Sequence, residues 1–173
     1  MRLSAIPADV ILAVALFGAS APLASVAAAP QTVPFADSYA PGTIVIHTSE
    51  RRLYLVLAGN RALRYPVGVG KAGKQWQGRA QIVAKFLKPA WMPPAEVKHD
   101  VPNIPDYIPG GVPSNPMGAA AMVLTGGEYA IHGTNRPGSV GGFVSYGCIR
   151  MYNADIVNLY RRVSVGTPVV VTR

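Results

Sequence analysis

One cysteine, Cys148, stands in 173 residues, so the chain can form no internal disulfide. Charge is equally scarce. Only 14% of residues are charged and just eight are acids, against sixteen Lys and Arg. With half the residues hydrophobic, this composition excludes wholesale disorder. The three histidines and the lone cysteine lack the spacing of a metal site, and the expectation is a chain that needs no cofactor. Helix-turn-helix, metal-finger and RNA-binding patterns are missing too, so the basic balance is not that of a nucleic-acid reader. No Asp or Glu lies between His132 and Cys148.

The first thirty residues differ from the rest. Arg2 supplies a positive start, Val10 to Phe17 is a compact apolar run, and Ala27-Ala28-Ala29 offers small residues for cleavage. This reads as a secretory signal peptide over residues 1–29. Asp9 interrupts the segment, and its apolar run is shorter than the roughly 20 residues that span a bilayer, so no membrane span is expected after cleavage. Arg2 and Asp9 cancel, leaving the formal charge of +8 on the mature chain, which is then drawn to polyanionic surfaces. In an exported chain a lone thiol is either a small buried hydrophobe or a reactive group.

Residues 30–42, with Pro30, Pro34, Pro41 and Gly42, read as a linker or N-terminal arm, and a single domain follows over 43–173. Its β-rich runs lie at Thr43 to His47, Arg52 to Leu57, Ala62 to Val69, Ala80 to Phe86, Ala121 to Leu124, Tyr129 to Ile131 and Pro168 to Thr172. Some seven strands of this kind suit a sandwich or barrel, and Gly126-Gly127 suits a tight hairpin. One helix is expected from Asn153 as N-cap, with Asp155 in its first turn and Ile156, Val157, Tyr160 and Val163 on one face. The proline-rich stretch from Lys88 to Gly118 follows neither period and reads as a long loop. Trp91, Tyr107 and the apolar residues around Pro109 favour a loop packed over or beside an active site.

The chemistry concentrates between Ile131 and Tyr152. His132-Gly133-Thr134 ends a strand, a glycine-rich loop follows, and Ser145-Tyr146-Gly147-Cys148-Ile149-Arg150 closes the segment. A thiol with an imidazole in reach is the minimum unit for nucleophilic acyl transfer. With no acid nearby, a backbone carbonyl such as that of Gly133 is the simplest group to orient His132. Gly147 lets the backbone turn closely before the nucleophile and leaves amides to face an oxyanion. Arg150, two positions beyond Cys148, shares its side in an extended segment, where it lowers the thiol pKa, holds a substrate carboxylate, or is simply a surface charge.

This run resembles the signature of the L,D-transpeptidase catalytic domain. The resemblance extends through Arg52-Leu53-Tyr54-Leu55, Tyr65-Pro66-Val67-Gly68-Val69-Gly70 and Asn115-Pro116-Met117-Gly118, and so covers roughly residues 43 to 173. It implies a mainly β, sandwich- or barrel-like domain with one or two short helices, exported to the periplasm or cell wall. There, peptidoglycan tetrapeptide stems would acylate Cys148 and release D-alanine. The acyl group would then pass to an amine of another stem or of an envelope protein. By matching positions, Cys148 is nucleophile, His132 general base and Gly133 the orienting carbonyl, while Ser145, Tyr146, Gly147 and Arg150 surround the oxyanion and substrate. Tyr146 stands where many members carry His, so no second imidazole is expected beside the thiol. The alternatives are a wall-binding module that holds stems without cleaving them, an L,D-carboxypeptidase and, more distantly, a sortase-like transpeptidase whose His lies much farther upstream.

Overall fold

A computed structural model describes residues 30–173. The expected signal peptide, residues 1–29, lies outside the described residues. The β-branched and aliphatic runs form strands β2 (Ile44–His47) and β3 (Arg52–Leu57), which continue into β4 (Arg61–Pro66) as an antiparallel meander. Beyond β2 lies β11 (Pro168–Thr172), parallel to it, and then β6 (Gly78–Leu87), antiparallel to β11. The ten residues of β6 serve two partners. Gly78 to Gln81 pair with β11, whereas Ile82 to Leu87 pair with β7 (Ala120–Leu124), with a register shift between Ile82 and Ala84 inside that ladder. Such an irregularity bends a strand and lets it pass from one layer to the next. With β1 (Gln31–Pro34), β8 (Ala130–His132) and β10 (Ile149–Arg150), the order becomes β1-β4-β3-β2-β11-β6-β7-β8-β10. A separate parallel pair joins β5 (Val69–Gly70) to β9 (Phe143–Ser145).

Strands on both sides of β6 contribute to one core. Ile44, Ile46, Leu53 and Leu55 come from one side, and Met122, Leu124, Ile131 and Ile149 from the other. Ile156 and Leu159 complete it from helix α2 (Asn153–Arg162). Truncating one of these large side chains to Ala costs about 2–5 kcal/mol. A smaller cluster of Phe35, Val45, Tyr54, Val56 and Ala62 lies on the other face of the meander, with Val33 and Tyr39 packed against it. That cluster explains the 30–42 arm, which docks as β1 against β4 and covers an apolar face. The architecture is the mainly β, two-helix one that the sequence implied.

Among the described residues, four short strands of two to four residues each, β1, β5, β9 and β10, escaped the sequence reading. The expected Asn153 cap is also corrected. Helix α2 starts at Asn153 with Tyr152 in the cap position and no side-chain cap hydrogen bond, because the Asn153 carboxamide is engaged elsewhere. Asp155 does sit in the first turn. It is buried, its Oδ2 has no partner among the described residues, and burial raises its pKa to about 6. The Lys88 to Gly118 stretch is structured around a six-residue helix, α1 (Ala95–Asp100), a Trp91–Ile108 bridge and the buried Asn115. Asn115 Nδ2 donates to the carbonyls of Pro89 and Pro109 at 2.9 and 2.8 Å, and its Oδ1 accepts from Met117 N–H at 2.8 Å.

Candidate active site

The pairing of β8 with β10 assembles the centre. The two strands are parallel neighbours, with Arg150 opposite His132 and Ile149 opposite Ile131. Side chains alternate along a strand, so Ile131 and Ile149 enter the core while His132 and Arg150 face the other way. Cys148, two residues before Arg150, falls on that same side. Cys148, His132, Arg150, Ser145 and Tyr146 all line one cleft of about 520 Å3.

His132 is buried, and its Nδ1–H donates to the Gly133 carbonyl at 2.6 Å. A carbonyl only accepts, so this bond places the proton on Nδ1 and leaves Nε2 as the basic nitrogen. Burial lowers the imidazole pKa to about 4; the positive charge of Arg150 adds to the shift, and the Gly133 and Pro116 carbonyls oppose it. Burial likewise pushes the Cys148 thiol up, opposed by the Ala130 N–H and by Arg150. The resting pair is therefore neutral thiol and neutral imidazole, with no direct hydrogen bond between them among the described residues. A neutral thiol beside a neutral imidazole suits general-base chemistry rather than a preformed ion pair.

The turn before Cys148 is stitched by Ser145. Its hydroxyl donates to the Cys148 carbonyl at 2.5 Å and accepts from Gly147 N–H at 3.1 Å. Of the amides expected to face an oxyanion, the Gly147 N–H is used internally, while the Cys148 N–H has no partner among the described residues. Gly147 has φ of 120°, and a Cβ there would collide with the Tyr129 ring. Only glycine fits.

Arg150 is half-buried, its Nε is enclosed without a partner, and no carboxylate pairs with it among the described residues. Burial is the main cause of its lowered pKa, and Arg136 adds to it. An enclosed, unpaired guanidinium is costly unless an anion completes it, and its planar fork fits a carboxylate.

Tyr146 faces the long loop. Its hydroxyl donates to Asp100 at the end of α1, while Lys71 Nζ lies 3.8 Å from its ring centre and 3.2 Å from Asp100 Oδ2. The Tyr146, His99 and Lys71 hydrogen bonds hold the Asp100 carboxyl well below the usual carboxylate range. A second tie joins Lys74 to Glu96 at 2.5 Å. These contacts hold α1 beside the cleft, where Trp91, Pro94, Val97, Pro116 and Met117 form part of the wall. The loop therefore flanks the site as expected, and the residue replacing an imidazole serves to anchor it.

Two positioning contacts were invisible in the sequence. Asn153 Oδ1 accepts from Ala119 N–H at 2.9 Å and Thr134 N–H at 3.1 Å, and its Nδ2 donates to the Thr134 carbonyl at 3.0 Å. The amide of α2's first residue thereby clamps the segment carrying Gly133, where a Cβ would strike the same Oδ1. Asn153→Ala should lower kcat on the order of tenfold through loss of base alignment and cost about 1–2 kcal/mol of stability. Steady-state rates and urea melts of the purified variant check both. The other contact is Trp76, which donates from Nε1 to the Gly147 carbonyl at 3.0 Å.

The cleft thus brings Cys148, His132 and Arg150 together in a mainly β domain. Residues 41–171 match the family described as the YkuD L,D-transpeptidase catalytic domain, and the chain belongs to that family. A putative L,D-transpeptidase of Bacillus subtilis, YqjB, is 51% identical over 147 residues, covering 80% of this chain and 77% of its own. The probable L,D-transpeptidase YbiS of Escherichia coli is 38% identical over 149 residues, covering 81% of this chain and 47% of its own. The chain thus spans about half the length of several curated relatives it matches. Among solved structures, an L,D-transpeptidase from Mycobacterium smegmatis shares the fold, with a TM-score of 0.58 at 22% identity, over 76% of this chain and 58% of that one. A Brucella melitensis structure titled a probable carnitine operon oxidoreductase is 44% identical, with a TM-score of 0.54, over 83% of this chain and 92% of that one.

Proposed function

We propose that the chain is an exported L,D-transpeptidase acting on peptidoglycan stem peptides in the periplasm or cell wall. The observation that carries this reading is the shared cleft of Cys148, His132 and unpaired Arg150. Arg150 receives a carboxylate of the tetrapeptide stem. The Cys148 sulfur attacks the carbonyl preceding terminal D-alanine as its proton passes to His132 Nε2. The tetrahedral oxyanion faces the Cys148 N–H. Collapse breaks the C–N bond, and the imidazolium returns its proton to the leaving D-alanine nitrogen. An acceptor amine then attacks the thioester, forming a new amide and restoring the thiol. The amine belongs to a second stem or to an envelope protein. The leader and the +8 charge support delivery to an acidic wall polymer. No helix among the described residues is long and apolar enough to cross a membrane.

The test is intact-mass spectrometry of the mature protein with a disaccharide-tetrapeptide, following D-alanine release and product masses together. A Cys148 adduct with loss of D-alanine supports acyl transfer, and product masses separate cross-linking, exchange and hydrolysis. A folded protein with neither adduct nor D-alanine overturns the reading in favour of a wall-binding module. Arg150→Ala should raise KM for the tetrapeptide about tenfold or more, the scale of one charge-assisted hydrogen-bonded contact. Equal KM values for the two proteins would take Arg150 out of substrate binding.

A further inference from the structure

Gly147 is held from two sides. Its carbonyl accepts from Trp76 Nε1–H at 3.0 Å, and its α-carbon packs against Tyr129, whose ring stacks on Trp76 with centroids 5.0 Å apart and planes 8° from parallel. Trp76 lies just before β6, Tyr129 just before β8, and Gly147 just before the nucleophile, so three separate segments meet there. In a planar trans peptide the carbonyl and the following N–H point in opposite directions. Fixing the Gly147 carbonyl on the indole therefore also fixes the direction of the Cys148 N–H, which points away from Trp76. That N–H has no partner among the described residues, while the neighbouring Gly147 N–H is already taken by Ser145. An amide that must meet charge only in the transition state gains from being held in advance, because no reorganisation is then needed during reaction.

We propose that Trp76 is a positioning residue, whose indole N–H holds the Gly147–Cys148 peptide so that the Cys148 amide is aimed at the developing oxyanion. It touches neither substrate nor sulfur. The proposal rests on the acyl-transfer reading above, and its test separates the two. Trp76→Phe keeps a ring against Tyr129 and removes the donor. A second variant, with benzothienylalanine at position 76, replaces only the indole N–H by sulfur and preserves ring size.

Two reactions of Cys148 are compared in each protein. Acylation by a disaccharide-tetrapeptide passes through an oxyanion. Alkylation by iodoacetamide is a displacement at CH2, with iodide leaving and no oxyanion formed. The expected result is kcat for acylation down about tenfold with KM within about twofold, since an imperfectly aimed donor forfeits part of the effect of a whole one. Alkylation should proceed at the wild-type rate. Equal falls in acylation and alkylation overturn the proposal in favour of a general disturbance of the nucleophile turn, and an unchanged kcat overturns it outright. Should Trp76→Phe fail to fold, the benzothienyl protein decides by the same criteria. If wild type itself is not acylated, the acyl-transfer reading fails before Trp76 is tested.

Discussion

Cys148→Ala should give a folded protein that never acquires an acyl adduct, with D-alanine release down by a factor on the order of a thousand or more. Every bond change in the proposed reaction begins at this sulfur, the sole thiol of the chain. Stability should change little by comparison. Ala fills most of the same space, and the contacts that shape the turn are made by Ser145 Oγ and the Gly147 carbonyl rather than by the sulfur. Intact mass, D-alanine release and a thermal melt on one preparation separate chemistry from folding. Persistent D-alanine release with a normal melt would show that the nucleophile is not Cys148, and the mechanism would fall.

The parts of this site legible in the sequence were those expressed by local residue type. A lone cysteine, with Gly147 before it and Arg150 two positions after it, stood out against the rest of the chain. So did a histidine at the end of a β-rich run. The absence of any acid between them pointed to a carbonyl for orienting the ring, and the Gly133 carbonyl lies at 2.6 Å. Major strands were readable for the same reason, since each lies in a run of apolar residues between turn signals.

What escaped was settled by contacts between distant segments. Asn153 carried every local mark of a helix cap, but its carboxamide is drawn to backbone groups at 119 and 134, which come near only when α2 packs against β7. Trp76 drew no reading from the sequence, because nothing there ties it to a carbonyl 71 residues away. Tyr146 appeared only as a departure from a family pattern. Its role follows from the placement of α1, which brings Asp100 to its hydroxyl. The two short strands β5 and β9 owe their pairing to the path of the chain around the cleft rather than to any period of their own.

His132→Ala should lower acylation by about 10²- to 10⁴-fold, the range for loss of a positioned general base, and should also change how the rate depends on pH. In the proposed mechanism, the base is the neutral ring, which is lost only as the imidazole protonates near pH 4. Acylation should therefore stay nearly flat from about pH 8 to pH 5 and fall below that, instead of falling near the ordinary imidazole value of 6.5. In His132→Ala, no group accepts the thiol proton, so the residual rate should climb with pH as the upward-shifted thiol ionises. Stability must be followed in parallel. An unfolded histidine binds its proton near pH 6.5, whereas the folded one resists until about 4, so between those values the unfolded state carries more protons. This contribution to stability is complete above pH 6.5 and is lost as pH falls through 4. Rates should accordingly be taken from brief pH jumps, with circular dichroism confirming the fold at each point. An acid limb at pH 6.5 in folded protein would mean that His132 is not the buried neutral base. A variant retaining both the wild-type rate and its pH profile would remove His132 from the chemistry.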